Sequence, residues 1–352
     1  MMQADTHEKT GFLLINLGTP DSTDVADVRR YLGEFLMDPF VLSAPTLIRA
    51  LIVYGFILPF RPHKSAEAYA SIWTEAGSPL LTGSQNLARE VAAELQAPVA
   101  LSMRYGQPSI KSGIDELAAQ GVAHVVVVPL YAQHADSTVS TSLHAVEKAL
   151  PKSMRHSVLP PFYGAAEHSQ AWGELIKRNL PDHWDHLLLS YHGLPEQHLR
   201  KADPTKSHCL QQDDCCNTPS PAHSTCYRHQ VFATSANIAA HVGLTEDQYS
   251  VSFQSRLGPL PWLSPYTDQV LEALPDQGVK HLVVASPAFV VDNLETLEEI
   301  GMQGRETFLN AGGETFNLVP CLNSDPLWVR GLADLCRARC GLEKSAHPPR
   351  TP

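Results

Sequence analysis

The chain has 352 residues, 43% hydrophobic and 18% charged, with a formal net charge of −11. That is the composition of a globular, water-soluble protein long enough for two domains. The acidic balance excludes the basic footprint of a nucleic-acid-binding protein.

Met1 to Thr10 is polar with acidic residues, and the first apolar run, Gly11–Leu17, gives way at once to Gly18-Thr19-Pro20. This is not a secretory pattern, so a cytoplasmic location is expected. Gly11–Leu17 reads as a buried strand, with a helix starting near Asp24 on Asp21 or Ser22 as its cap. The Gly-x-Gly-x-x-Gly fingerprint is absent, which weakens a dinucleotide-binding reading. Phe40–Phe60 is the most apolar segment, interrupted by Pro45, Arg49 and Pro59. We expect a buried helix or an apolar lip beside a pocket there rather than a membrane span. Arg61, His63 and Lys64 follow, suited to anionic lipid or an acidic ligand.

Ser65–Glu75 and Ser84–Leu95 read as helices, and Val99–Gly106 as a strand that presents Arg104 and Tyr105 at its end. Ile110–Gln120 is helical, and His124–Tyr131 is a further buried strand. The polar loop Gln133–Thr138 follows, then a helix to Ala149. This alternation implies a parallel sheet covered on both faces. Pro151–Pro161 is the expected domain boundary. The rhythm restarts with a helix at Ala165–Asn179, a strand at Asp185–Tyr191, an irregular Cys-rich stretch at Ala202–Tyr227 and a helix at Arg228–His241. Strands at Tyr249–Gln254, Lys280–Pro287 and Glu314–Val319 alternate with helices at Thr267–Leu274, Leu294–Asn310 and Pro326–Cys340. The predicted fold is α/β: two similar Rossmann-like domains, each a parallel sheet flanked by helices. Residues 10–155, with the lip at 40–60, form the first and residues 156–325 the second. A helix at 326–341 packs back, and 342–352 is a disordered tail.

Two stretches carry candidate chemistry. Ser190-Tyr191-His192-Gly193-Leu194-Pro195 puts His192 at the carboxyl end of a strand, where ligands sit in open α/β sheets. A histidine that merely ends a strand is equally ordinary. In Asp292-Asn293-Leu294-Glu295-Thr296-Leu297-Glu298-Glu299, α-helical spacing sets Asp292, Glu295 and Glu299 on one face. Acids favour the first turn of any helix, so the line alone decides nothing. Both stretches follow strands of the same half, which brings His192 and Glu295 to one sheet edge. Four of the seven cysteines, Cys209, Cys215, Cys216 and Cys226, fall within eighteen residues. A reducing compartment disfavours a disulfide, leaving free thiols or a metal centre. Four thiolates suit zinc, although the adjacent Cys215-Cys216 pair is not zinc-ribbon spacing.

Together, Ser190–Pro195, Gln254–Trp262 and Asp292–Glu299 resemble the three signature blocks of the ferrochelatase family. Leu14–Pro20, Met103–Tyr105 and Tyr131–Thr138 are similar to its first-domain edges, in family order from residue 11 to 328, and the chain looks like a bacterial member. The resemblance implies a chelatase-like pair of domains with a porphyrin cleft between them. The implied reaction is that of a lyase, insertion of Fe²⁺ into protoporphyrin IX with release of two protons to give protoheme, the last step of heme biosynthesis. It assigns His192 and Glu295 as the catalytic pair and ligands of the substrate iron, Asp292 and Glu299 to a proton or iron path, and Leu17, Arg104, Tyr105 and Trp262 to the porphyrin. The residue types agree: an imidazole takes pyrrole protons near neutral pH, and a site of His plus carboxylate releases iron more readily than a thiolate cage.

Two departures stand out. Asn293 replaces a histidine of animal members, and Ala132–Asp136 differs from the usual loop. Some bacterial members carry a [2Fe–2S] cluster on internal cysteines, which implies Cys209, Cys215, Cys216 and Cys226 as its ligands. Cys336 and Cys340 are secondary candidates, and Asp136 occupies the place of the animal internal ligand. The expected partners are protoporphyrin IX and Fe²⁺, with peripheral contact to the inner face of the membrane; oligomeric state is not indicated. Competing readings are a coproporphyrin III ferrochelatase, for which Arg61 and Lys64 supply basic groups, a cobalt chelatase for a precorrin, and a tetrapyrrole or metal carrier without turnover.

Overall fold

The computed structural model describes residues 8–341 apart from Leu257 and Pro259, so the expected tail at 342–352 lies outside the described residues. The elements run β1 (Thr10–Gly18), α1 (Val25–Leu36), α2 (Thr46–Ala50), α3 (Arg61–Ile72), α4 (Pro79–Leu95), β2 (Val99–Tyr105), α5 (Ile110–Ala119), β3 (His124–Pro129), α6 (Thr141–Ala149) and β4 (Arg155–Val158). The second half runs α7 (Ala166–Asn179), β5 (His186–His192), α8 (Glu196–Ala202), α9 (Tyr227–Val242), β6 (Tyr249–Gln254), α10 (Thr267–Ala273), β7 (His281–Ala285), α11 (Arg305–Asn310), β8 (Thr315–Leu318) and α12 (Pro326–Arg339). Three π-helical segments, Leu51–Ile57, Asp136–Ser140 and Glu295–Gly304, interrupt the α-helical pattern.

The two sheets repeat one topology, β2-β1-β3-β4 and β6-β5-β7-β8, with every pairing parallel. Central strands covered on both faces read as unbroken apolar runs. Phe12–Ile15 and Leu187–Leu189 are such runs, and each of these side chains is almost wholly buried. The first strand of each half lies between the second and third, so the chain reverses direction across the sheet at the carboxyl ends of β1 and β5. Ligands of open α/β sheets bind at such points. The loops after β3 and β7 meet in an antiparallel bridge between Tyr131 and Phe289, so the two sheets face one another there. One apolar core runs between the halves, and α12 crosses back to lie on α4 and α7. Its Arg337 donates to the main-chain carbonyl of Glu94 at 2.6 Å.

Four sequence expectations change. The proline-bounded junction at 151–161 contains β4, paired to β3, so the first sheet runs through position 155 to Val158. The strand is short and its first two residues are exposed, which leaves no apolar signal. The helix expected at Leu294–Asn310 is π-helical over its first ten residues, Glu295–Gly304. The loop expected at Gln133–Thr138 winds into a π-turn at Asp136–Ser140. Asp24, not Asp21 or Ser22, occupies the N-cap of α1, and Ser22 accepts the Asp24 N–H instead.

Candidate active site

β1, β2 and β5 deliver Leu17, Tyr105 and His192 to the facing strand ends. The close approach of β1 to β2 needs Gly18, whose φ is +118° and whose Cβ would lie 1.9 Å from the Tyr105 carbonyl oxygen. Gly193 is needed for the same reason, because a Cβ there would meet the Gln254 carbonyl at 2.7 Å and the Trp262 ring at 3.3 Å. Trp262 therefore packs against the residue beside His192, in a segment bridged to Pro195. The His192 ring has its Nδ1 2.6 Å from the Gly193 carbonyl oxygen and meets Phe289 in a T-shaped contact, with 6.4 Å between ring centroids.

Glu295 opens the π-helix Glu295–Gly304. Burial pushes its carboxyl above the usual carboxylate range, a shift opposed by the charge of His192 and reinforced by that of Glu299. Arg61 at the start of α3 and the buried Tyr31 and Tyr69 also lie within electrostatic reach of Glu295. Leu17, Tyr105, Tyr31, Tyr69 and Leu294 share one apolar cluster, so the acid of the second half is set against the wall of the first. A π-helix bonds i to i+5 and carries more residues per turn than an α-helix. Glu299, four residues on, returns close to the face of Glu295, whereas Glu298 is turned further away than on an α-helix. Glu299 is held by Ser255, whose N–H donates to it at 2.7 Å and whose hydroxyl also donates.

Asp292 is not part of that face. It precedes the helix, and its oxygens accept from the Cys321 N–H at 3.0 Å, the Asn323 amide at 2.7 Å and the Thr296 hydroxyl at 3.3 Å. It ties the helix start to the connection between β8 and α12. Asn293 is buried and caps the same turn, accepting from the Thr296 N–H at 3.0 Å.

Arg104 and Tyr105 are drawn away from open space by Asp38, which the sequence reading missed. Asp38 pairs with the Arg104 guanidinium and accepts from the Tyr105 hydroxyl at 2.9 Å and the Thr141 hydroxyl at 2.6 Å. Burial alone would raise the Asp38 carboxyl, yet these donors and the Phe40 N–H together hold it below the usual range. Tyr105 is 1% exposed, so it supports the cleft wall from behind. A signal was present: Asp38 is the sole acid between Glu34 and Glu67. Above it the lip exposes Leu47, Leu51, Tyr54, Phe56 and Phe60. Arg49 is buried beneath it, donating to the carbonyls of Leu42 and Ala44. Among the described residues no helix is long and apolar enough to cross a membrane.

The four clustered cysteines are all buried, with no disulfide. Cys226 stands at the N-cap of α9. The Cys216 thiol, the N–H groups of His229 and Arg228 and the Cys209 thiol converge on its sulfur and hold its thiol below the usual range against burial. Thiolate character at a helix N-terminus is what a metal ligand requires. Arg228 donates to the Cys216 sulfur at 3.3 Å, and Cys215 lies within electrostatic reach of Cys209 and Cys216. Three histidines brace the loop: His208 and His223 hold the Cys215 carbonyl at 2.6 and 2.8 Å, and His229 holds that of Cys216 at 2.6 Å. The donor set fits a thiolate-bound group in chemistry. Among the described residues, however, no group of three or more His, Cys, Asp or Glu side chains is arranged to hold a metal ion. Cys336 and Cys340 stand together at the end of α12, and Asp136 accepts from Ser140. The Tyr131–Asp136 loop docks on α9: the Gln133 amide donates to the Thr234 hydroxyl at 2.9 Å and the His134 N–H to the Gln230 side chain at 2.6 Å.

The ferrochelatase family model matches residues 9–340. A ferrochelatase of Pseudomonas fluorescens (strain SBW25) is 50% identical over 329 residues, 92% of this chain and 96% of that protein. One from Azotobacter vinelandii (strain DJ / ATCC BAA-1303) is 51% identical over 330 residues, 92% of this chain and 97% of that protein. Among solved structures, SirB from Bacillus subtilis with Fe³⁺ superposes with a TM-score of 0.52 at 14% identity, covering 94% of this chain and 95% of its own, a likeness of fold.

Proposed function

The chain belongs to the ferrochelatase family, and from that premise we propose which of its residues carry the reaction and on which porphyrin. It inserts Fe²⁺ into a porphyrin in heme biosynthesis. We take the substrate to be protoporphyrin IX, bound in the cleft between the two halves, whose division falls after β4. Leu17 and Trp262 line the cleft from opposite sides, while Arg104 and Tyr105 hold its wall.

His192 and Glu295 are the pair we assign to chemistry. The imidazole accepts the pyrrole protons and, with the Glu295 carboxylate, presents Fe²⁺ to the macrocycle. A buried acid with a raised pKa takes up a proton more readily than an exposed carboxylate. Glu299 passes protons or iron onward, and Asp292 acts by fixing the helix start. The observation that most supports this assignment is the burial of Glu295, at the start of its π-helix, within the electrostatic reach of His192 at the end of β5. The test is an anaerobic insertion assay offering protoporphyrin IX and coproporphyrin III with Fe²⁺ and Co²⁺. Multiple turnovers with protoporphyrin IX and Fe²⁺, lost in His192→Ala with porphyrin binding retained, are expected. Preference for coproporphyrin III would move the assignment to that substrate, with Arg61 and Lys64 as its additional anchors. Stoichiometric binding without turnover would make the chain a carrier.

Cys209, Cys215, Cys216 and Cys226 are proposed as ligands of a [2Fe–2S] cluster. Bound there, a cluster would tie the loop from Cys209 to Cys216 to the start of α9. The exposed lip is proposed to rest on the cytoplasmic face of the membrane, where an apolar porphyrin partitions.

A further inference from the structure

We propose that Gln254 is a positioning residue for the reaction: it links the backbones of His192 and Glu295 and holds them at a fixed separation. The proposal rests on the assignment of that pair above. Gln254 ends β6 and pairs in register with His192 on β5. Its main-chain carbonyl accepts the Gly193 N–H at 2.8 Å, directly beside the imidazole. Its side-chain amide donates to the main-chain carbonyl of Glu295 at 3.3 Å. One buried residue therefore grips the chain at both members of the pair. The next residue, Ser255, extends the contact along the π-helix, with its N–H and its hydroxyl both on the Glu299 carboxylate. Ser255 has φ +66°, a left-handed conformation that costs a residue with a side chain free energy. Such strain persists only where the surroundings hold it, here through the two bonds to Glu299.

A chain of buried hydroxyls holds the Gln254 amide in one orientation. A carbonyl only accepts, so the Gln254 nitrogen faces Glu295 and its oxygen faces Ser190. Ser190 donates to that oxygen at 2.8 Å and has no second proton. Thr267, 2.9 Å from Ser190, is then the donor to Ser190, and Ser252, 2.8 Å from Thr267, is the donor to Thr267. All four side chains are buried, with Thr267 at the first position of α10. The donors run one way, from Ser252 through Thr267, Ser190 and Gln254 to the Glu295 carbonyl. Bonds aligned in this manner polarise and strengthen one another. The parallel pairing of β5 with β6 fixes His192, whereas Glu295 lies in a helix outside the sheet. The Gln254 amide carries the order of the strands to that helix at its first residue.

The experiment is a double-mutant cycle in the full chain. Anaerobic insertion of Fe²⁺ into protoporphyrin IX gives the rate, and fluorescence quenching of the same porphyrin gives its Kd. Gln254→Met keeps the length and apolar body of the side chain and removes both polar atoms. It should lower kcat about ten- to a hundredfold with porphyrin Kd unchanged, since misplacing a reacting group by about 1 Å costs that much. In the Glu295→Gln background the same change should lower the residual rate by less than about twofold. The Gln254 bond runs to the Glu295 main chain, so Glu295→Gln leaves it in place. A purely structural loss would therefore appear in full in both backgrounds. Ser190→Ala, which frees the amide oxygen, should give a smaller loss that Glu295→Gln also erases, and it carries the cycle alone where Gln254→Met fails to fold. Equal losses in the two backgrounds, or variants as fast as wild type, overturn the positioning role and leave the pair assignment intact. A rise in porphyrin Kd that accounts for the loss overturns it as well. A Glu295→Gln enzyme that turns over like wild type overturns the pair assignment and the proposal together.

Discussion

Asp38 and Arg104 form an ion pair beneath the apolar lip, their side chains 3% and 17% exposed. The same carboxylate holds Tyr105 and Thr141, so one acid joins the entry loop, the end of β2 and the start of α6. Removing one partner of a buried pair leaves the other charge uncompensated. Asp38→Ala should therefore cost about 3 kcal/mol of stability and raise KM for porphyrin as the lip loosens. Guanidinium denaturation measures the first effect. Asp38→Ala combined with Arg104→Met should recover part of the loss. A single variant as stable as wild type would remove the pair from the account of the lip.

Glu295→Gln should lower the insertion rate by about 10²- to 10⁴-fold, whereas Glu298→Gln should stay near wild type. The wider π-turn carries Glu298 off the face of Glu295, and its carboxylate accepts from Gln303 at 2.6 Å instead. The same substitution should act on stability in the opposite sense. A carboxyl whose folded pKa lies above its ordinary 4.5 holds its proton more tightly when folded. Its contribution to stability is complete below 4.5 and is lost as pH rises through the folded value. At neutral pH, Glu295→Gln should thus be more stable than wild type, with the advantage growing upward from pH 4.5. Equal rates for the two glutamine variants, both folded, would refute the one-face geometry.

The strands were legible because full burial writes them as apolar runs, as in Leu187–Leu189 and Val125–Val128. His192 was legible because one such run ends on it. The π-helix was not, since its first residues have an acceptable α-helical pattern and only the hydrogen-bond step distinguishes the two. Asp292 falls on the face of Glu295 only when the helix is started too early; it precedes the helix, and its partners, Cys321 and Asn323, arrive from a connection about thirty residues away. β4 was hidden by its exposed Arg155 and His156. The bond from Gln254 to Glu295 carried no local sign at all, because its acceptor is a main-chain carbonyl forty-one residues later.

His168 gives the fold a dependence on acid. Its ring is fully buried between Phe162 and Trp328, at 5.3 and 5.6 Å between centroids, and neither ring nitrogen has a partner. Burial holds it down to about 3 from an ordinary 6.5. An unfolded chain takes up this proton near 6.5 while the folded one refuses it until about 3. The stability is present above 6.5 and is lost as pH falls toward 3. His168→Phe should remove that loss. The gap between the two proteins should narrow or reverse in favour of the variant by about 1.4 kcal/mol per pH unit below 6. Denaturation curves that remain parallel from pH 7 to 5 would show that the ring titrates as it does in water.

The lip should bind anionic membranes from one side. Leu47, Leu51, Tyr54 and Phe56 are 86%, 62%, 60% and 66% exposed on a short α-helix and the π-helical segment that follows it, and Phe60, in the turn before α3, is 76% exposed. An apolar patch of this kind, contiguous along the chain, usually marks an interaction surface. Arg61 and Lys64 stand exposed at the start of α3 beside it, and a basic residue near an anionic surface is worth about 1 kcal/mol. Vesicles containing phosphatidylserine should therefore float the protein, and salt should release much of it by screening those charges. Tyr54→Ser with Phe56→Ser should weaken flotation by about tenfold or more, since each ring buries apolar area in the headgroup region. Insertion into porphyrin supplied in detergent should change little, because neither ring belongs to the pair that handles protons or iron. Release by detergent alone would contradict a peripheral contact. Failure of the wild type to float at low salt would mean that the exposed rings serve the porphyrin, or another protein, rather than lipid.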